Sequence, residues 1–255
     1  MSTPSSPSKV ASLPLPTSSL ALVGNVLYAG TTDKRLVVIN VANPAAPVAG
    51  GTTSLAGYPV TMRTNGSLLF IAADTAGLLT YSVAIPAAPA FLSQFKPSSA
   101  VESVAVEGNL ALLAATDGGF VIADLSNPGA PVLAGQVPLD QLSCFADLDP
   151  AAYPPGLISI ALNNGIAYAG SANMFARVFG FDYRQTAHPR MVSATAYSTS
   201  IVGSVLAFAF YGSNMFVGVD FGAKIFEADV TQPRNFIRHM CFPVAFGAND
   251  AANFP

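Results

Sequence analysis

This sequence predicts an all-β chain folded as a β-propeller of five blades, with four antiparallel strands in each. Two segments that recur five times in a shared register predict it, together with short strands that are apolar on both sides.

The first segment reads Gly24-Asn-Val-Leu-Tyr-Ala-Gly30, Gly66-Ser-Leu-Leu-Phe-Ile-Ala72 and Gly108-Asn-Leu-Ala-Leu-Leu-Ala114. Weaker copies are Asn164-Gly-Ile-Ala-Tyr-Ala-Gly170 and Gly212-Ser-Asn-Met-Phe-Val-Gly218. The second segment reads Val41-Ala-Asn-Pro-Ala-Ala-Pro47, Val83-Ala-Ile-Pro-Ala-Ala-Pro89 and Leu125-Ser-Asn-Pro-Gly-Ala-Pro131. It is echoed at Tyr183–Pro189 and Val230–Phe236. A fixed period of about 42 residues marks a repeat architecture, and its length separates a propeller blade from a shorter solenoid repeat.

Within one copy the elements follow in order. Leu20–Val23 is a first apolar strand, and Gly24-Asn25 is a two-residue hairpin turn before the second strand, Val26–Ala29. Thr31–Arg35 is a polar turn, and Leu36–Val41 is the third strand. Asn43-Pro44-Ala-Ala-Pro47 is a stiff turn, because proline fixes φ and donates no hydrogen bond. Val48–Thr53 is the fourth strand. Four short strands per repeat make one blade, and a blade packed between two others is apolar on both faces.

The phrases Leu36-Val-Val-Ile-Asn-Val-Ala-Asn-Pro-Ala-Ala-Pro47 and Phe120-Val-Ile-Ala-Asp-Leu-Ser-Asn-Pro-Gly-Ala-Pro131 resemble the LVIVD family of propeller repeats, a strand followed by an Asp-x-Ser-Asn-Pro-x-x-Pro turn. The resemblance runs over about residues 20–240, clearest in the first three copies. It implies a propeller, often surface-associated, with no agreed enzymatic activity, and it carries over no functional residues. The chain has no Trp, so the Trp-Asp signature of another propeller family is absent.

The organisation expected is a Ser/Pro-rich segment over 1–19, a five-bladed propeller over 20–241, and a tail over 242–255. Lys9–Leu13 aligns with the end of a fourth strand and is expected to close the ring by pairing with the last blade. Asn235–Met240 is that blade's own fourth-strand candidate, and Phe242–Asn249 resembles the first strand of a further copy. An incomplete six-bladed propeller is therefore the alternative to closure within five.

Composition excludes several classes. Charged residues make up 10% of the chain and hydrophobic ones 51%, the reverse of a disordered segment. A net charge of −3 argues against a nucleic-acid partner, which demands a basic surface. The longest apolar stretch, Ile201 to Tyr211, is about half of a spanning helix, so no transmembrane segment is expected. No signal peptide is visible in the first 19 residues. Two Cys and two His, far apart, offer no metal-ligand pattern, and no cofactor motif is present. Cys144 and Cys241 are candidates for one disulfide, although two separate thiols are the commoner arrangement.

Alternating strand direction divides the loops between two faces. The Gly-Asn and Asn-Pro turns share one. The second-to-third turns share the other with the blade-to-blade connections, and function tends to live in such varied loops. Asp33, Asp74, Asp117 and Asp220 lie in those turns, where ordinary turn chemistry explains them better than a cation site. The connections hold Tyr58, Tyr153 and Tyr197, which suit sugar or peptide binding or plug gaps between blades. Arg63 and Glu102 are the charges on the innermost strands, as a ligand site, a cross-channel pair or solvated strand ends. The insertion at Asp140–Gly156 is expected to reach beyond its own blade, and a smaller one lies near Ala194–Gly203.

The function these readings favour is a non-enzymatic interaction module, a structural subunit of a surface or extracellular assembly with a protein partner. A carbohydrate-binding propeller is the alternative. A propeller glycosidase is less favoured, because it needs two carboxylates across one bond.

Overall fold

The computed structural model describes residues 8–138, 156–172, 177–196, 203–220, 224–229 and 242–243. Every element in them is a β-strand. The first sheet holds β1 (Thr17–Val23), β2 (Val26–Thr31), β3 (Arg35–Asn40) and β4 (Val48–Ser54); the second β5 (Thr61–Asn65), β6 (Leu68–Ala72), β7 (Leu78–Ser82) and β8 (Ala90–Phe95). The third holds β9 (Val101–Glu107), β10 (Leu110–Ala115), β11 (Gly119–Asp124) and β12 (Val132–Val137); the fourth β13 (Gly156–Asn163), β14 (Ile166–Ala172), β15 (Arg177–Asp182) and β16 (Arg190–Ala196). The fifth holds β17 (Val205–Tyr211), β18 (Asn214–Val219), β19 (Lys224–Asp229) and β20 (Phe242–Pro243). Each is an antiparallel meander in chain order, and the five sheets are the five blades.

The repeat motifs are turns with identifiable chemistry. In the first hairpin, Val23 pairs directly with Val26 and leaves only Gly24-Asn25 outside the ladder. That geometry puts φ of Gly24 at 55°, and Asn164 takes the same place in blade 4 with φ of 51°. Asn tolerates this left-handed conformation better than other non-glycine residues. In the Asn-Pro turn, Asn127 Oδ1 accepts the Gly129 N–H at 3.2 Å while the Asn127 carbonyl accepts the Ala130 N–H at 2.9 Å. Upstream, Asp124 Oδ1 accepts the N–H of Ser126 at 2.7 Å and its hydroxyl at 2.6 Å. The Asp-x-Ser-Asn-Pro phrase is thus two consecutive side-chain-capped turns. In blade 4 the same place holds Asp182, which Arg184 and Arg190 both pair.

Blades pack face to face. Tyr28, Leu36 and Val38 of blade 1 meet Met62, Leu69, Ile71 and Tyr81 of blade 2 in one buried cluster. Equivalent clusters join blades 2 and 3, 3 and 4, and 4 and 5. In the third-to-fourth interface Phe120 stacks on Phe181 with centroids 4.5 Å apart. Hydrogen bonds add a stitch that repeats with the sequence. Ser19 Oγ donates to the Pro59 carbonyl at 2.9 Å, Thr61 Oγ1 to that of Glu102 at 3.4 Å, and Ser159 Oγ to that of Val205 at 2.6 Å. Ser103 holds the same register in blade 3 and Ala207 in blade 5.

The two ends of the row of blades depart from the expected closure. β1 lies beside β5, β5 beside β9, β9 beside β13 and β13 beside β17, but among the described residues β17 does not lie along β1 in this way. Lys9–Leu13 forms no strand. Pro14 and Pro16 would remove two donors from any ladder there, and Leu13 and Leu15 instead lie on the apolar face of blade 1 formed by Ala29, Val37 and Ile39. In blade 5 the outer position beside β19 is taken by Phe242–Pro243, with Ile225 opposite Phe242. Residues 242–243 therefore end a blade rather than begin one, and Asn235–Met240 lies outside the described residues. So does the 140–156 insertion, apart from Gly156.

Candidate functional site

The inner strands surround a central channel of about 570 Å³. Residues near the start of these strands, beside the blade-to-blade connections, line it. Tyr58, Arg63 and Glu102 all line it, so the structure brings three of the expected site residues together. Tyr153, Tyr197, Cys144 and Cys241 lie outside the described residues.

The wall is mixed, with Ser19, Thr61, Ser103 and Ser159 at one shared level of it. Ser18 and Ser19 both donate to the Pro59 carbonyl, at 2.7 and 2.9 Å, so their hydroxyls are engaged in holding blades 1 and 2 together. At the next level along the strands, Ile160 and Phe208 turn their side chains into the interfaces with the preceding blades.

Arg63 and Glu102 do not form a cross-channel pair. Thr61 pairs with Ala72 in blade 2 as Ser103 pairs with Ala114 in blade 3. Glu102 precedes its reference residue by one position and Arg63 follows its own by two. Three residues of strand separate them in depth, or about 10 Å. Arg63 Nη1 donates to the Met62 carbonyl at 2.9 Å, which holds the guanidinium near its own strand. Among the described residues every ion pair is made by other groups. The Arg63 side chain is exposed within the channel, and the strands around it partly desolvate the guanidinium and lower its pKa. Burial pushes the Glu102 carboxyl up, and the charge of Asp74 adds to the shift.

Asp74 is the neighbour that sequence reasoning missed. Its backbone exchanges two hydrogen bonds with Val101, at 3.0 and 3.1 Å, which draws this turn of blade 2 onto the start of blade 3. The signal available in the sequence was its place in the turn before β7, but turn acids recur in four blades. The others spend their carboxylates locally or face solvent. Asp33 binds Thr31 and Arg35, Asp220 Oδ1 accepts the Ser204 N–H at 2.6 Å, and Asp117 is exposed. Among the described residues no three His, Cys, Asp or Glu side chains gather as a metal site.

A second surface stands out at the start of the row. Leu20 is 53% exposed, whereas its counterparts Met62, Val104, Ile160 and Phe208 are 1%, 0%, 3% and 8% exposed against the preceding blade. Leu22 is 56% exposed. Residues 10–15 cover only part of this face, leaving a groove of about 300 Å³ bounded by Val10, Leu13, Leu20, Leu27, Ile39 and Pro44.

Residues 16–53 and 99–138, which are blade 1 and blade 3, match the family described as LVIVD repeat. No curated protein matches the chain in sequence. Among solved structures, the chain is similar to the computationally designed Ika8 protein, at 14% identity and a TM-score of 0.59 over 88% of this chain and 61% of that one. It is similar to Sqt1 from Chaetomium thermophilum, at 12% identity and a TM-score of 0.65 over 88% of this chain and 58% of that one. It is also similar to BamB from Moraxella catarrhalis, at 14% identity and a TM-score of 0.55 over 84% and 58%. The chain thus spans about 60% of the length of these structures. The likeness shows the propeller fold. Among the described residues no helix is long and apolar enough to cross a membrane.

Proposed function

We propose that this chain is a non-enzymatic propeller module that holds a protein partner and serves as a subunit of an assembly at the cell surface or outside the cell. The observation that supports the reading is the face of blade 1. Leu20 occupies a position that other blades bury and Leu22 one that they half-bury, and a groove lies beside them. An apolar face rimmed by polar residues suits a partner that brings apolar surface of its own. Among the described residues Glu102 is the one carboxylate that lines the channel, and Asp74 is not part of its lining, which favours the non-enzymatic reading.

The test is a photo-crosslinking residue placed at Leu22 in the full chain, expressed in its source cells, with a solvent-facing control at Asp117. A defined partner cross-linked at Leu22, absent from the control and lost in Leu20→Asp, is expected. Recovery of the uncrosslinked chain alone would sink the proposal. Labelling of intact cells with an impermeant biotin reagent tests the location separately.

A carbohydrate site is the second reading, supported by Tyr58 on the channel wall. A glycan array compared between the parent and Tyr58→Ala tests it; equal binding, or none, would remove it.

A further inference from the structure

In blades 2 to 5 the leading face of each sheet meets the trailing face of the blade before it. Among the described residues no blade packs on the leading face of blade 1 in this way, and two contacts that the other blades make there are left unused. We infer that this face seats a further four-stranded propeller blade, supplied by a different protein, and that residues 10–15 give way to it. This occupant deepens the proposed reading of blade 1 as a partner site and depends on that reading.

The first unused contact is a backbone position at the start of the inner strand. The Pro59 carbonyl accepts the hydroxyls of Ser18 and Ser19, and the Val205 carbonyl that of Ser159. The Val101 carbonyl accepts the Asp74 N–H at 3.1 Å, and the Leu157 N–H donates to the Thr116 carbonyl at 3.4 Å. All four internal interfaces are thus crossed at one place. Thr17 holds that place in blade 1: Thr17, Val101, Leu157 and Val205 share one bulge, two residues ahead of Ser19, Ser103, Ser159 and Ala207. Among the described residues no other blade bonds to Thr17, whose hydroxyl donates to the Leu15 carbonyl at 3.2 Å. The second contact is apolar. Leu20 is exposed where Met62, Val104, Ile160 and Phe208 are buried.

Together these contacts narrow the occupant. Apolar side chains alone would accept a helix or a loop, but the crossing point is met elsewhere by a group on the preceding sheet, level with that sheet's apolar face. A partner blade therefore brings a Ser or Thr on its inner strand and apolar second and third strands, as Tyr28, Leu36 and Val38 do toward blade 2. Blade 5 of this chain has Ala207 at the hydroxyl position, which favours a different protein over a second copy. Leu13 and Leu15 lie on Ala29, Val37 and Ile39. The counterparts of these three are Ile71, Leu79 and Tyr81, which blade 1 covers in blade 2. A docked blade needs the same ground. Residues 10–15 form no strand, so they leave it without breaking a sheet.

The first probe is a second copy of residues 17–58, one period of the repeat, inserted ahead of residue 17 in the full chain. Its end then leads into Thr17 as Tyr58 leads into Pro59. Leu20→Cys is placed in the original blade only, and its alkylation by a polar maleimide is compared with that of the same substitution in the parent. Peptide mapping separates it from Cys144 and Cys241. At least tenfold protection is expected, lost again when the added blade carries Val38→Asp on its trailing face. Equal alkylation, or protection that survives Val38→Asp, would overturn the seat. The second measurement needs no added blade: the cross-link from Leu22 is mapped to its residue in the partner. An adduct on a strand of a four-stranded repeat in a different protein is expected, with a several-fold higher yield in Leu13→Ala with Leu15→Ala. An adduct on a helix or a loop would overturn the blade and leave a protein partner standing. An adduct on a second copy of this chain would overturn the different protein, and no adduct at all would sink both readings. An unchanged yield in the double variant would overturn the displacement of residues 10–15.

Discussion

Replacing Ser159 with Ala tests whether the repeated hydroxyl stitch holds the blades together. Ser159 is 4% exposed, and its hydroxyl donates to the Val205 carbonyl of the next blade at 2.6 Å. The substitution removes that bond and takes a donor from a carbonyl in the interior. A buried group left unsatisfied costs about 1–3 kcal/mol, or about 2–12 °C in the unfolding temperature of a domain this size. The side chain shrinks by one oxygen, so cavity formation adds little. Ser19→Ala should cost less, because Ser18 donates to the same Pro59 carbonyl at 2.7 Å. Ala207→Ser supplies a hydroxyl at the equivalent place in blade 5, where no further blade lies along β17 among the described residues, and should leave stability within about 0.5 kcal/mol of the parent. Circular dichroism melts and urea titrations of the three variants measure the series. A Ser159→Ala protein that melts with the parent refutes the stitch. A strongly stabilised Ala207→Ser refutes the claim that blade 5 stands at an end of the row.

Three further variants probe other parts of the molecule. Leu13→Ala with Leu15→Ala strips two half-buried side chains from the face of blade 1; fully buried leucines cost about 2–5 kcal/mol each, so about 2–3 kcal/mol is expected for the pair, against little for the exposed Leu22→Ala. Equal melting of the double variant and the Leu22 control would show that residues 10–15 do not act as a cover. Glu102→Gln should raise the unfolding temperature at pH 7 and have little effect near pH 4. A carboxyl whose folded pKa is raised binds its proton more readily when folded, so its penalty is complete above the folded value and vanishes as pH falls below the unfolded one. A melt unchanged at both pH values would refute this. Asp182 has the opposite sign: hydrogen bonds and charge from Arg184, with Arg190 adding, hold its carboxyl far below the ordinary range. Its stabilisation is complete above the unfolded value of about 4 and is lost as pH falls below it, so Asp182→Asn should flatten the acid limb of a stability–pH curve, and an identical acid limb would refute the assignment.

The blades were legible because the strands are short, the two central ones of each blade are mostly apolar, and each is bounded by a turn whose chemistry is local. Gly24-Asn25 and Asn43-Pro44 act through their own backbone and nearest neighbours, so a sequence window of five residues contains the whole cause. The placement of Tyr58, Arg63 and Glu102 on one channel was legible for a related reason, since the register of the repeat carries each position from blade to blade. What was not legible depends on contacts between distant residues. Whether Lys9–Leu13 pairs as a strand or lies as a cover turns on the spacing of Leu13 and Leu15 between prolines and on an apolar face that only the assembled blade presents. The approach of Asp74 to Glu102 turns on backbone bonds between two blades, and no local pattern announces it. The independence of Arg63 and Glu102 follows from the three-residue offset in depth, which becomes visible once the ladders are in register.

The two ends of the row also bear on which partner the exposed face of blade 1 takes. Elsewhere in the molecule a leading face meets the trailing face of the blade before it, so a second copy could dock head to tail and would propagate rather than close on itself. Blade 5 is unsuited to that role. Its stitch position holds Ala207. In the ladder of its central strands Glu227 stands opposite Phe216, where the equivalent residues are Val38 opposite Tyr28, Thr80 opposite Phe70, Ile122 opposite Leu112 and Gly180 opposite Tyr168. The register alone puts an acidic residue at this point of the sequence pattern, and a carboxylate set against another blade's apolar face would make docking costly. On the proposed reading, the occupant of the blade 1 face is then a different protein rather than a second copy. Sedimentation velocity of the purified chain should give a monomer, and Glu227→Val combined with Ala207→Ser should introduce concentration-dependent, open-ended association. If the parent already associates head to tail, cross-linking position 22 of one copy to position 216 of another, the carboxylate is no barrier and a second copy becomes the natural occupant of the blade 1 face.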